Sequence, residues 1–379
     1  AGVEAADGDA TRAAVRARPT MALAIMLDML GDGDGALEVL RGADTGPPAP
    51  RWNRPLLQFA TAVTLHRRGE WDDALAEAEA GLVGADETDL LLGVQGPFAI
   101  SAAISCARGR LREAHHWLER ASRGAGSSTL GVEWMLYATA QVQEADGDPE
   151  GAAALLELFI DAALDAGAPA LLLNSGGDAV RLAIAAGRPE MAARVTRGLV
   201  EVAGRTESPI ARATADWARG LSRNDPGPAI AAAGRLTGCQ RVPEAARARH
   251  DAAVIAARLG NKDEARALAG ETFRTYDTLG AEQLHGRLRA ELRSAGLPMR
   301  PRRSRPRPQS GWESLTPSEQ RVVDLVGEGL TNSEIADRLY LSRRTVESHL
   351  GRVYTKLDLM TRAQLVAAVV QRRETVGSS

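Results

Sequence analysis

Residues Phe59–Leu82 read FATAVTLHRRGEWDDALAEAEAGL: one apolar stripe with i, i+3, i+4 spacing runs into Gly69, and a second runs out of it. That pattern is a helical hairpin. Gly69 ends the first helix in a left-handed conformation that L residues avoid, acidic residues face the positive end of the second helix, and Ala74 lets the two approach closely. The spacing Gly, four residues, Ala recurs at Gly31, Gly109, Gly147, Gly187 and Gly260, and Asn224, the residue next most tolerant of that conformation, fills the one gap. Successive turns lie 38, 40, 38, 40, 37 and 36 residues apart. Pro149, Pro189 and Pro226 stand two residues after their turns, where a helix can begin. One match means little in an alanine-rich chain, but seven at near-even spacing predict about seven hairpins over residues 8–275, stacked into a curved solenoid.

At 379 residues the chain exceeds what one core usually spans, roughly 250 to 300 residues, so two parts are expected. Aromatics at 4% and abundant alanine favour close helix packing over sheets, and the fold class expected is all-α. No run of about 18 uncharged apolar residues is present and the opening AGVEAADGDATRAAVR has no apolar h-region, so no membrane span or signal peptide is expected and the reading is cytoplasmic. Cys106 and Cys239 lack metal-ligand spacing and are read as buried small apolar residues. Trp52, Trp117, Trp134 and Trp217 are read as core fillers, and the adjacent His115 and His116 point to different helix faces, which argues against a metal pair. No catalytic or metal site is assigned, and with no nucleophile–base pair or Gly-rich phosphate loop legible, an enzyme is not expected.

Between Leu297 and Gln309 the chain reads LPMRPRRSRPRPQ, four prolines and five arginines that cannot form a helix. This stretch divides the chain into a repeat domain, residues 1–296, a linker, 297–312, and a carboxyl-terminal module, 313–379. Charge divides with it. Residues 301–379 hold 13 Lys and Arg against 9 Asp and Glu, and the preceding 300 hold 33 against 40, so the overall −3 combines an acidic solenoid with a basic tail. A basic linker beside a DNA-binding module would add nonspecific phosphate attraction, and a solvated hinge is the other reading.

In the module, Thr316–Glu319, Thr331–Glu334 and Thr361–Gln364 are S/T-x-x-E/Q capping boxes and Ser342 is a further N-cap. They predict helices over 317–328, 332–339, 343–357 and 361–373, with a short turn at Tyr340, Leu341 and Ser342 between the second and third. On the third helix Val346, Leu350, Val353 and Leu357 face the core. Arg344, Ser348, Gly351 and Thr355 lie opposite, with Thr345 and Arg352 on one flank and Glu347 and Tyr354 on the other. Arg343 to Ser348 is the end expected to enter a major groove.

The repeats resemble tetratricopeptide-type hairpins, with Trp71 and Leu111 at the large position after the glycine, although the period is longer than theirs. The module resembles the LuxR-type helix-turn-helix at Leu315-Thr316, Glu319, Gly329, Asn332, Ile335-Ala336, Leu339, Leu341-Ser342, Thr345-Val346, His349, Tyr354, Lys356-Leu357 and Arg362. That resemblance implies a four-helix domain that reads double-stranded DNA, with Glu347, Ser348 and Arg352 toward bases. It places Asn332, Arg344, Thr345 and Lys356 toward phosphates, and Ser342 and Arg343 are further DNA-binding candidates. It also implies a homodimer on DNA through the fourth helix, where Leu365, Val366, Val369 and Val370 are candidates, and RNA polymerase as a partner if the output is activation. With Phe273–Gly296, FRTYDTLGAEQLHGRLRAELRSAG, the whole resembles the carboxyl-terminal part of the large ATP-binding LuxR-type regulators. Their ATPase is not expected within this sequence, because Lys262 precedes Asp263 and Lys356 precedes Leu357, so no Gly-Lys-Ser/Thr loop exists and no cofactor is expected. The chain is then a fragment of such a regulator or a short form.

The function expected is a sequence-specific DNA-binding transcriptional regulator, an activator by expectation, whose solenoid binds an unknown small molecule or protein. A protein-interaction scaffold and a sigma-factor-like, polymerase-binding protein are the alternatives.

Overall fold

The computed structural model describes residues 20–44, 54–88, 95–123, 131–299, 308 and 310–377, and nearly all of them are helical. The helices are α1 (20–29), α2 (Gly33–Asp44), α3 (Arg54–Arg68), α4 (Trp71–Thr88), α5 (Gln95–Ala107), α6 (Leu111–Arg123), α7 (Val132–Ala145) and α8 (Pro149–Asp165). After a short 3-10 turn at Pro169–Leu173 come α9 (Gly176–Ala185), α10 (Pro189–Arg205), α11 (Pro209–Arg223), α12 (Pro226–Gly238), α13 (Val242–Arg258), α14 (Lys262–Leu279) and α15 (Glu282–Ser294). The chain ends with α16 (Pro317–Gly327), α17 (Asn332–Leu339), α18 (Arg343–Leu357) and α19 (Arg362–Gly377). Helices α1 to α14 pair into seven hairpins. Most of the Pro/Arg-rich stretch, residues 300–307 and 309, lies outside the described residues, as does Trp52.

Each hairpin turn is built the same way. Gly31, Gly69, Gly109, Gly147, Gly187, Asn224 and Gly260 all have positive φ. At Gly69 the N–H donates to the His66 carbonyl and the next N–H to that of Leu65, both at 3.0 Å, the paired bonds that satisfy the last carbonyls of a helix. The same pair recurs at Gly109, Gly147, Gly187, Asn224 and Gly260. In three turns the residue after the glycine or asparagine caps the second helix: Asp32, Asp148 and Asp225 accept from backbone N–H groups at 2.8 to 2.9 Å. The repeated alanines, Ala36, Ala74, Ala114, Ala152, Ala192, Ala229 and Ala265, are all buried. A larger side chain there would push the paired helices apart.

The solenoid curves until its ends meet. Asp28 in α1 accepts from Arg67 of α3 and, at 2.9 Å, from Arg241 just before α13, and Ser208 donates to the Met29 carbonyl at 2.7 Å. Inside this closed turn run Tyr137, Asp178 and Arg247, all buried, with the largely covered Arg181 and with Glu144, Arg287, His250 and Glu291 beside them. Burial would push the Asp178 carboxyl up, but the guanidinium groups of Arg247 and Arg181 and the Tyr137 hydroxyl hold it down at about 2. Trp134 and Trp217 are buried core residues and Trp117 is packed against the core, as expected of core fillers, and Trp71 is buried as well. Cys106 is buried, whereas Cys239 is only partly covered, because it caps the short helix α12 at the surface. Among the described residues no helix is long and apolar enough to cross a membrane.

His66 stacks on Trp71 and meets Trp134 edge-on inside this core. Burial, and then the nearby Arg247, Arg67 and Arg241, lower its pKa to about 3. An unfolded His titrates near 6.5. Between those values the unfolded chain carries the extra proton, so stability falls with falling pH, by up to ~1.4 kcal/mol per pH unit. His66→Gln is therefore expected to flatten the decline between about pH 6.5 and 4 in urea unfolding curves; an unchanged slope counts against it.

Candidate nucleic-acid interface

The carboxyl-terminal helices start where their caps are written. Thr316 and Thr331 each accept from the backbone N–H three residues on, at 3.3 Å, and Glu319 and Glu334 accept in return at 2.8 and 2.6 Å. Thr361 and Gln364 exchange bonds in the same way at 3.2 and 3.1 Å, and the Ser342 hydroxyl accepts from the Thr345 N–H at 3.1 Å. Tyr340, in the left-handed region at φ 59°, ends α17 and turns the chain into α18. Val322, Val323 and Val326 of α16, Ile335 of α17, and Val346, Leu350 and Val353 of α18 form the core that fixes α17 against α18.

On α18 the structure separates residues that sequence alone had grouped. Arg343, Arg344, Glu347, Gly351 and Thr355 are exposed, and Ser342, Ser348, Arg352 and Lys356 are half-covered. Arg343 Nε donates to Glu347 at 3.0 Å, so the one acid on this face is held by its own helix. Lys356 Nζ reaches the buried Glu319 carboxylate at 2.6 Å and thereby ties α18 to the cap of α16. Asn332, at the start of α17, accepts from Arg362 at 2.9 Å. Both expected backbone-contacting residues are thus also internal ties of the module. Of the four dimer candidates on α19, Leu365 and Val369 are buried in the core, since their i, i+4 stripe packs on α16. Val366 is half-buried and Val370 exposed.

Thr345 and His349 are fully buried, and what covers them is α4 of the repeat domain. Glu77 accepts from the Ser342 N–H at 2.6 Å and from the Thr345 hydroxyl at 2.8 Å. Asp73 accepts from the Ser318 hydroxyl at 2.8 Å and from Arg321, which also reaches Glu70 at 3.0 Å. His349 Nε2 lies 2.8 Å from Asp73 Oδ1, close but out of line for a hydrogen bond. At the rim Arg352 donates to Glu79 at 3.0 Å. Arg41 of α2 closes the other side, donating to the Asp337 carbonyl at 2.6 Å and stacking 4.8 Å from the Tyr340 ring centroid. None of these acids was legible as a partner. The sequence assigns no partner to Asp73, Glu77 or Glu79. The one signal was that Asp73 and Glu77, four apart, share a face flanked by Ala74 and Ala78, both buried.

Residues 313–369, which hold this capped turn and α18, match the model of the luxR family of bacterial regulatory proteins. This segment is a luxR-family domain. A protein of Mycobacterium tuberculosis named as an HTH-type transcriptional regulator is 55% identical over 73 residues, 19% of this chain and 8% of the relative. The DNA-binding transcriptional activator DevR/DosR of the same organism is 35% identical over 94 residues, 25% of this chain and 42% of its own length. The transcriptional regulatory protein LiaR of Bacillus subtilis is 41% identical over 61 residues, 16% of this chain and 28% of its own. The chain therefore spans less than half the length of these relatives. In each case the similarity covers a quarter of this chain or less, about the extent of the luxR-family domain.

Proposed function

We propose that the chain is a sequence-specific DNA-binding regulator of transcription in which α18 is the reading helix and the repeats control its use. What carries this reading is the luxR-family match over the segment whose capped turn presents α18. Ser348 and Arg352 face bases, Glu347 beside them holds Arg343, and Arg343, Arg344, Ser342, Thr345, Asn332 and Lys356 serve the backbone or position α18 on it. The exposed Val370, with Val366, leaves α19 an outer apolar strip for a second copy on a two-fold site. An effector fits the cavity of about 560 Å³ inside the solenoid turn, which Trp71, Cys106, Glu144, Arg181, Arg247 and Leu284 line, a size in the range of small-molecule pockets.

Fluorescence anisotropy of the full chain on a mixed-sequence 30-base-pair duplex tests the reading. With about four phosphates neutralised, affinity is expected to fall on the order of 100-fold between 50 and 200 mM salt. A salt-insensitive signal counts against it. Arg352→Ala is expected to lower affinity and relax base preference in a binding-site selection. Because Arg343 already holds Glu347, Glu347→Ala is expected to change affinity a few-fold with preference intact; a changed consensus would assign Glu347 to base reading instead.

A further inference from the structure

We propose that the acidic face of α4 is an internal stand-in for the DNA backbone, so that this closed arrangement excludes DNA and binding requires α4 to part from α16 and α18. The inference rests on the DNA-binding reading above. The groups that α4 engages are the kinds that hold phosphates: a backbone N–H at a helix start (Ser342), two hydroxyls (Ser318, Thr345) and two guanidinium groups (Arg321, Arg352). Opposite them stand four carboxylates, Glu70, Asp73, Glu77 and Glu79, with Asp73 and Glu77 about 6 Å apart along the helix. Asp73 and Glu77 are 1% exposed, and Asp73 bonds to Ser318 and Arg321 and Glu77 to Ser342 and Thr345 of the carboxyl-terminal module.

Size decides whether α18 could read DNA while α4 stays in place. A helix with its side chains is about 10–12 Å across, and packed axes lie about 8–10 Å apart, so a packed pair is roughly 20 Å wide. The major groove is about 12 Å wide and admits one helix. Helix α4 covers the Ser342, Thr345 and His349 side of α18, at the end that must enter, while Arg343, Arg344 and Glu347 stay exposed. DNA and α4 thus compete for Ser342, Thr345 and Arg352. Trp71, the first residue of α4, lines the central cavity two positions from Asp73, so an occupant of that cavity touches the helix that holds the module.

The test compares the full chain with an Asp73→Asn/Glu77→Gln variant, which keeps shape and removes charge outside the DNA-contacting residues. Anisotropy on the mixed-sequence 30-base-pair duplex at 50 mM salt is expected to show at least tenfold tighter binding by the variant. Hydrogen–deuterium exchange is expected to show faster exchange at Ser342 to Thr345, with the protection of α9–α13 unchanged. If the double variant loses its repeat-domain protection, Glu79→Lys, at the half-exposed rim, takes its place and is expected to tighten binding at least threefold by repelling Arg352. Equal affinity of parent and variant, with both bound, overturns the internal stand-in and leaves the DNA-binding reading standing. No binding by either overturns both.

Discussion

The Arg247→Met chain is expected to melt on the order of 10 °C below the parent at pH 7, the loss that a broken buried ion pair of about 3–5 kcal/mol implies for a domain of this size. Arg247 is 5% exposed, sits 3.3 Å from Asp178 and donates to the Tyr137 hydroxyl, which in turn donates to Asp178 at 2.6 Å. Methionine fills much of the arginine volume, so the loss is one of charge rather than of packing. It leaves Asp178 buried with one fewer cation, and the cost of an uncompensated charge dominates. The sign with pH follows from the Asp178 carboxyl, held at about 2 against an ordinary value near 3.9. In the parent its contribution is present above about pH 4 and is lost as pH falls through about 2. In the variant burial acts with less opposition, so the carboxyl titrates higher and protonation relieves it. The gap between the two chains is therefore largest at neutral pH and narrows below about pH 4. Adding Asp178→Asn to Arg247→Met is expected to recover more than half of the lost melting temperature, and a double variant no more stable than Arg247→Met would show that packing, not charge, sets the cost.

The turns of this fold were legible and its closure was not. Positive φ at six glycines and Asn224, and burial of the alanine five residues on, follow from rules that act within a few residues: one residue can take the left-handed conformation, and one is small enough for close helix contact. The meeting of Asp28 with Arg67 and Arg241 depends on small rotations summed over seven hairpins, which no local pattern records. The luxR-family domain was legible for the same reason as the turns, since its caps at Thr316, Thr331, Ser342 and Thr361 are local chemistry. Helical projection also separated the inward Val346, Leu350 and Val353 from the outward Arg344 and Gly351. It could not show that Thr345 and His349 are covered, because their cover lies more than 260 residues away in sequence. Lys356 shows a related effect: its tie to the buried Glu319 carboxylate, 37 residues away in sequence, was equally out of reach of local pattern.

Substitutions on α19 should separate the core of the luxR-family domain from any contact between two copies. Leu365→Asp puts a carboxylate where the side chain is 0% exposed, in the cluster that holds the valines of α16. Such a burial costs several kcal/mol, a large part of what a domain of under 70 residues commands, so α16 to α19 are expected to lose their fixed packing and DNA binding with it. Val370 is 47% exposed, and an aspartate there meets water, so the monomer fold is expected to stay within about 0.5 kcal/mol of the parent. If the outer strip of α19 joins two copies on DNA, Val370→Asp places like charges opposite each other at the two-fold axis. Binding to a duplex with two half-sites is then expected to weaken at least tenfold, while binding to one half-site is unchanged. Two-site binding by Val370→Asp equal to that of the parent would remove α19 from the pairing surface. Leu365→Asp that still binds DNA would overturn the assignment of α19 to the domain core.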